Sequence, residues 1–240
     1  VSIGIAATLN DGVVLAADSR DSWFDGERKR DHDNLDKLRP VGDSLFAIPL
    51  GLTVPALDAI DRLNKALRRI RTGEGRAQDA CGPEQVAFHL RDCVQRAWKD
   101  YLPALRPGVN VEYLASAVVV IVGGTANGIP FIARSGVSVE CPGSDELSTE
   151  TSRSIVCGGE NQGAQIFEQR AVETLKGVPW NPDKGPMNEW VEGVLQAAVE
   201  TIQAVISQTD FTGGVIRYAV IRRGFPVLKD IWNEHANKTT

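Results

Sequence analysis

The first 38 residues limit the possible folds more than any other stretch of the chain. They read VSIGIAATL, then Asn10-Asp11-Gly12, then VVLAADSR, then a charged excursion that ends in Asp36-Lys37-Leu38. Two apolar runs flanking an Asn-Asp-Gly turn spell a β-hairpin. The second run ends in Asp18-Ser19-Arg20, polar residues placed directly after an apolar strand. A strand can simply stop this way, and it can also deliver charge to a site. Because the hairpin opens the sequence, it sets the first residues inside a sheet. That position permits a chemistry in which a first-residue hydroxyl attacks and its own amine serves as base.

After the hairpin, the polar stretch Ser22 to Asn34 reads as a surface loop. Lys37 to Pro40 and LFAIPLGL read as two short strands around a turn at Val41 to Ser44. From Pro55 the period becomes helical, with Leu57, Ile60, Leu63, Leu67 and Ile70 on one face. A second helix begins near Pro83, with Val86, Leu90, Val94 and Trp98 aligned; His89 reads there as a structural histidine rather than a ligand. Ala115 to Val122 reads as a fully buried strand ended by Gly123-Gly124. Asn127-Gly128 then turns the chain back along IPFIARSG, and Val137 to Glu140 reads as a short addition. Cys141 to Thr151 reads as turn, and Ser154 to Gly159 as a short strand. Two further helices are predicted at Asn161 to Leu175 and Met187 to Ser207, around a loop at Gly177 to Gly185. Thr212-Gly213-Gly214 leads into the strand VIRYAVI, and a short strand or tail follows Gly224.

The order is strands, two helices, strands, two helices, strands. No linker divides it, so residues 1–240 read as one domain. Hairpin-joined strand groups favour antiparallel sheets. Two stacked sheets, each covered by a helix pair, give an α+β fold: a four-layer αββα sandwich. The net charge of −5 offers no basic face for nucleic acid. The four cysteines form no CxxC pair and the three histidines are far apart, so neither a metal nor another cofactor is expected. Scattered cysteines fit a reducing compartment. With no signal segment and no apolar run of membrane-spanning length, a cytoplasmic protein without a membrane partner is expected.

The motifs resemble those of proteasome β-type subunits among the N-terminal nucleophile hydrolases, most closely the bacterial ancestral-type homologues. DGVVLAADSR, Asp11 to Arg20, is very close to that family's second-strand motif, and Asp36-Lys37-Leu38 matches its lysine after a variable loop. Val122-Gly123-Gly124 matches a third landmark and Thr212-Gly213-Gly214 a fourth, with Asp210 just before it. The resemblance implies the αββα fold, a ring of copies of the chain, and hydrolysis of peptide bonds in a peptide or unfolded-protein substrate without metal or cofactor. It does not specify an ATPase partner. It casts Asp18 and Lys37 as the charged pair beside the nucleophile, Arg20, Thr212 and Gly213 as structural support, and Asp210 as the acidic residue before the glycine pair. Cys157 falls where the family carries a serine near the nucleophile, a departure because a thiol is the weaker hydrogen-bond donor. The pocket-lining glycine expected after the fourth strand is replaced near Ile48.

Two frames exist for the nucleophile. A gap-free match puts Ser2 there, with its amine acylated by Val1; a second frame puts the nucleophile one residue before Val1. Thr8 is too near the turn to serve. An α-amine titrates near about 7.7–8.0 and a lysine near about 10.4, so the amine is the better neutral-pH base and Lys37 is expected to stay cationic, neutralised by Asp18. Three readings follow: a serine- or threonine-type peptidase, a catalytically silent ring subunit of the same fold, and an amidase acting on small amides.

Overall fold

The computed structural model of the protein describes residues 2–25, 28–71, 81–104, 118–137, 144–149, 155–158, 187, 189–208 and 212–232. Within them the chain is mixed α and β, with antiparallel sheets and three α-helices. In order, the elements are β1 (Gly4–Thr8), β2 (Gly12–Ala17), β3 (Asp21–Asp25), β4 (Arg28–His32), β5 (Arg39–Val41), β6 (Leu45–Gly51), α1 (Thr53–Arg71), α2 (Pro83–Tyr101), β7 (Val118–Ala126), β8 (Ile129–Val137), β9 (Ser144–Thr149), β10 (Ile155–Gly158), α3 (Glu189–Ile206), β11 (Arg217–Arg222) and β12 (Leu228–Ile231). One sheet has the order β10-β1-β2-β11-β12 and the other β5-β6-β7-β8-β9; β3 and β4 pair only with each other.

The opening hairpin forms as the sequence indicates. Its register runs from Gly4 opposite Ala17 to Thr8 opposite Val13, and the Leu9 N–H donates to the Gly12 carbonyl across a two-residue Asn10-Asp11 turn. Both faces of the hairpin are buried. Ile3, Ile5 and Ala7, with Val14 and Ala16, pack on Val191, Val194, Ala198 and Ile202 of α3. The alternate residues Ala6, Val13, Leu15 and Ala17 pack on Phe46, Ile48, Leu50, Val119 and Ile121 of the other sheet. This two-sided burial is why the strands read as unbroken apolar runs rather than alternating ones. On the outer face of the second sheet, α1 and α2 bury Ala59, Ile60, Leu63, Val86, Leu90, Val94 and Trp98 against Val118, Val120 and Val122. The inward stripe of α1 is shifted towards Ala56 and Ala59, leaving Leu57 and Ile70 half-exposed.

Three sequence expectations change. The stretch Ser22 to Asn34 is not merely a loop, for β3 and β4 form a hairpin with Ser22 opposite Asp31 and a 2.6 Å bond between their side chains. β4 exposes Arg28, Arg30, Asp31 and His32, so no apolar alternation marks it. Within Cys141 to Thr151, β9 is a strand at the edge of its sheet, and Ser135 of β8 donates to its Asp145 at 2.7 Å. The pair Gly123-Gly124 does not end β7, which continues to Ala126. A methyl at Gly123 would come 3.0 Å from Val13 Cγ1, so that glycine admits the other sheet. Asn127-Gly128 does form the turn to β8, with φ of 56° and 73°, the left-handed pair of a tight hairpin. The predicted helix Asn161 to Leu175, the loop Gly177 to Gly185 and the segment 138–140 lie outside the described residues.

Gly12 is the closest fit in the first sheet. A methyl there would strike the Ile221 carbonyl oxygen and lie 2.8 Å from Arg222 Cα, both backbone atoms that cannot turn aside. Gly12→Ala is expected to cost about 1–3 kcal/mol, the usual range for overpacking. Urea unfolding of the two proteins measures this; an unchanged midpoint would show that β11 and β2 are not held at this spacing.

Candidate active site

Antiparallel pairing of β1 and β2 sets the residues before β1 beside those after β2. The hairpin register carries Ile3 opposite Asp18, and the Asp18 N–H donates to the Ile3 carbonyl at 3.2 Å. Beyond Ala17 the ladder ends, so Asp18 is freed from strict alternation. Its carboxylate turns back to the chain, and Oδ1 accepts the Ile3 N–H at 3.0 Å. Lys37, delivered by the segment ahead of β5, completes the group. Its Nζ donates to Asp18 Oδ1 at 2.9 Å and to Ser2 Oγ at 2.8 Å. Ser2 thus lies beside the charged pair.

The group is almost sealed from water: Asp18 is 0 %, Lys37 2 % and Ser2 8 % exposed. Removing two charges from water costs several kcal/mol each, which only good mutual geometry and further hydrogen bonds offset. The Asp18 carboxylate has both. Besides Lys37 and Ile3 on Oδ1, its Oδ2 accepts the N–H groups of Arg20 at 3.3 Å and Gly213 at 3.2 Å. Burial pushes the Lys37 ammonium below the ordinary lysine value, against the upward pull of Asp18 and Asp21, and Arg20 adds to the lowering. In place, burial leaves Lys37 holding its proton less firmly than a lysine in water.

Behind Asp18, Arg20 grips Asp33 in a two-pronged ion pair, Nε to Oδ1 at 2.6 Å and Nη2 to Oδ2 at 2.9 Å. The guanidinium occupies the space where a side chain at Gly213 would stand, its Cζ 2.5 Å from such a methyl. Ser19 ties the same loops together: its N–H donates to the Gly213 carbonyl at 3.1 Å, and its hydroxyl to the Asp33 carbonyl at 2.6 Å. Gly213 therefore works twice, as donor to Asp18 and as room for Arg20. Thr212 beside it is buried.

Cys157 stands opposite Ile5 in the β10–β1 ladder, a register position three residues along from Ser2. Thr8 is buried beside the hairpin turn, at the far end of β1. Asp210 lies outside the described residues. Gly51 ends β6 with φ 79°, directly ahead of α1, so a glycine does close that strand, three residues beyond Ile48. Asp33 and Ser19 escaped the sequence reading, because one sits in a run of polar residues and the other looks like the end of a strand. Among the described residues no group of three or more His, Cys, Asp or Glu could hold a metal ion, and no helix is long and apolar enough to cross a membrane.

No protein-family model matches the chain, and no curated protein matches it.

Two outcomes follow from the buried pair. Asp18→Asn leaves Lys37 buried without its counter-charge and is expected to cost about 3–5 kcal/mol, read by denaturant unfolding. In a lysine Cε NMR titration, Lys37 is expected to titrate below about 10.4, and a midpoint at or above it would contradict the burial argument. The unfolded chain keeps this proton to higher pH than the folded one. The Lys37 contribution to stability is therefore flat below its folded midpoint and rises from there towards 10.5.

Proposed function

We propose that this chain is a proteasome β-type N-terminal nucleophile hydrolase that cleaves peptide bonds with Ser2. The observation that carries this reading is the continuous contact from Ser2 Oγ to Lys37 Nζ to Asp18 Oδ1, at 2.8 and 2.9 Å. The hydroxyl attacks the amide carbonyl and forms an ester, and water then hydrolyses it. The cation of Lys37 stabilises negative charge developing on Oγ, and Asp18 holds that cation in place. The base is the α-amine of Ser2, freed when water hydrolyses the peptide bond before Ser2; it takes the hydroxyl proton and passes it to the leaving amine.

In the same reading the fold is the four-layer αββα sandwich. Its support is the inner cluster shared by the two sheets, with α1 and α2 packed outside one and α3 outside the other. The working form is a cytoplasmic ring of copies of the chain, and the substrate is a peptide or unfolded protein.

Peptide-amide cleavage by the wild type and by Ser2→Ala, with the N-terminus of each read by intact mass, tests the proposal. Ser2→Ala is expected to lower kcat/KM by at least about 10³-fold, the scale for loss of an activated nucleophile. Turnover that survives Ser2→Ala would remove Ser2 from the mechanism. Cleavage confined to small amides would make the chain an amidase, and no cleavage by protein starting at Ser2 would leave a silent ring subunit.

A further inference from the structure

Lysine has a long, flexible side chain, so Nζ stays between Ser2 and Asp18 only if the backbone carrying it is fixed. The Leu35 N–H donates to the Ser19 carbonyl at 2.9 Å, tying one side of the segment to the residue after Asp18. The other side is held from β12, at the far edge of the sheet. Lys229 Nζ donates to Asp36 Oδ2 and to the Leu38 carbonyl, each at 2.8 Å. The remaining oxygen of Asp36, Oδ1, accepts the Leu38 N–H at 3.1 Å. That is an Asx turn, which encloses one residue, and here the enclosed residue is Lys37. The Lys229 ammonium also lies 5.6 Å from the centre of the Phe46 ring, part of the inner cluster. One ion pair thus satisfies both the N–H and the carbonyl of Leu38, a residue with 0 % exposure. A half-exposed ion pair adds only about 0–1 kcal/mol to stability, so its consequence here is geometric.

We propose that Asp36 and Lys229 are positioning residues for Lys37, a closed bracket that holds its ammonium on Ser2 and Asp18. The kinetic arm of the test rests on Ser2 being the nucleophile; the titration arm does not. The charged groups that act on Lys37 are Asp18, Asp21 and Arg20. Asp36→Asn removes a negative charge and keeps an acceptor for the Leu38 N–H, while Lys229→Gln removes a positive charge. Through the electric field alone, the first would lower the Lys37 midpoint and the second would raise it. Through release of the bracket both raise it towards about 10.4, because a displaced Lys37 regains water.

The lysine Cε NMR titration of Lys37 is therefore expected to move upward in both variants. In peptide-amide hydrolysis kcat is expected to fall about tenfold or more with KM little changed, the effect of misplacing a reacting group by a fraction of an ångström. Lys229→Arg is expected to restore most of it. Shifts of opposite sign, or no shift in either variant, would overturn the proposal. Should Lys229→Gln fail to fold, Asp36→Asn alone decides, since field and release give it opposite signs. A wild type without hydrolysis would refute the role of Ser2 and leave the bracket to be judged by the titration.

Discussion

The buried pair of Asp18 and Lys37 is the constraint to which the surrounding chain answers. Neither charge is stable in a protein interior without the other, and neither is satisfied by the other alone. The carboxylate draws on the N–H groups of Ile3, Arg20 and Gly213 as well as on the ammonium. Those donors come from the start of β1, the end of β2 and the entry to β11, while Lys37 comes from the segment ahead of β5. Segments remote in sequence must therefore fold together before any of them is stable. Ser2, as the residue before Ile3, is carried to the ammonium by the same register.

The rest of the architecture supplies rigidity. β1 and β2 are buried on both faces, by α3 on one side and by the second sheet on the other. Their ends are therefore anchored by packing on both faces, the support that a constellation held to tenths of an ångström requires. The loops that add Gly213 and Asp33 are fastened by Arg20 and Ser19 rather than by apolar packing. A buried hydroxyl on a cation, with the cation on a carboxylate, is an arrangement for stabilising charge on oxygen. That is the physical ground on which a hydrolase centre is proposed.

Much of this could be read from the sequence, and the reasons are local. The hairpin was legible because its turn chemistry and apolar runs agree, and the two-residue turn alone predicts that Ile3 faces Asp18. The helices at Pro55 and Pro83 were legible from period and proline placement. The strands β3, β4 and β9 were not, because an exposed or edge strand shows no alternating apolar pattern. The role of Gly123 was missed because a glycine that admits a neighbouring sheet looks in sequence like one that ends a strand. At the site, Asp18, Lys37 and Ser2 were visible as candidates. Their contact was not, since Lys37 lies 35 positions from Ser2 and no periodicity links them. Asp36 stood in the sequence only as the neighbour of Lys37, and nothing there pairs it with Lys229, 193 positions away.

In the proposed mechanism the Ser2 hydroxyl is made nucleophilic by Lys37 and Asp18. The most direct measurement is covalent labelling with a peptide β-lactone, which acylates activated hydroxyls, followed by peptide mapping by mass spectrometry. One adduct, on Ser2, is expected in the wild type and none in Lys37→Met. An adduct elsewhere in the chain, or equal labelling of Ser2 after Lys37→Met, would contradict that mechanism.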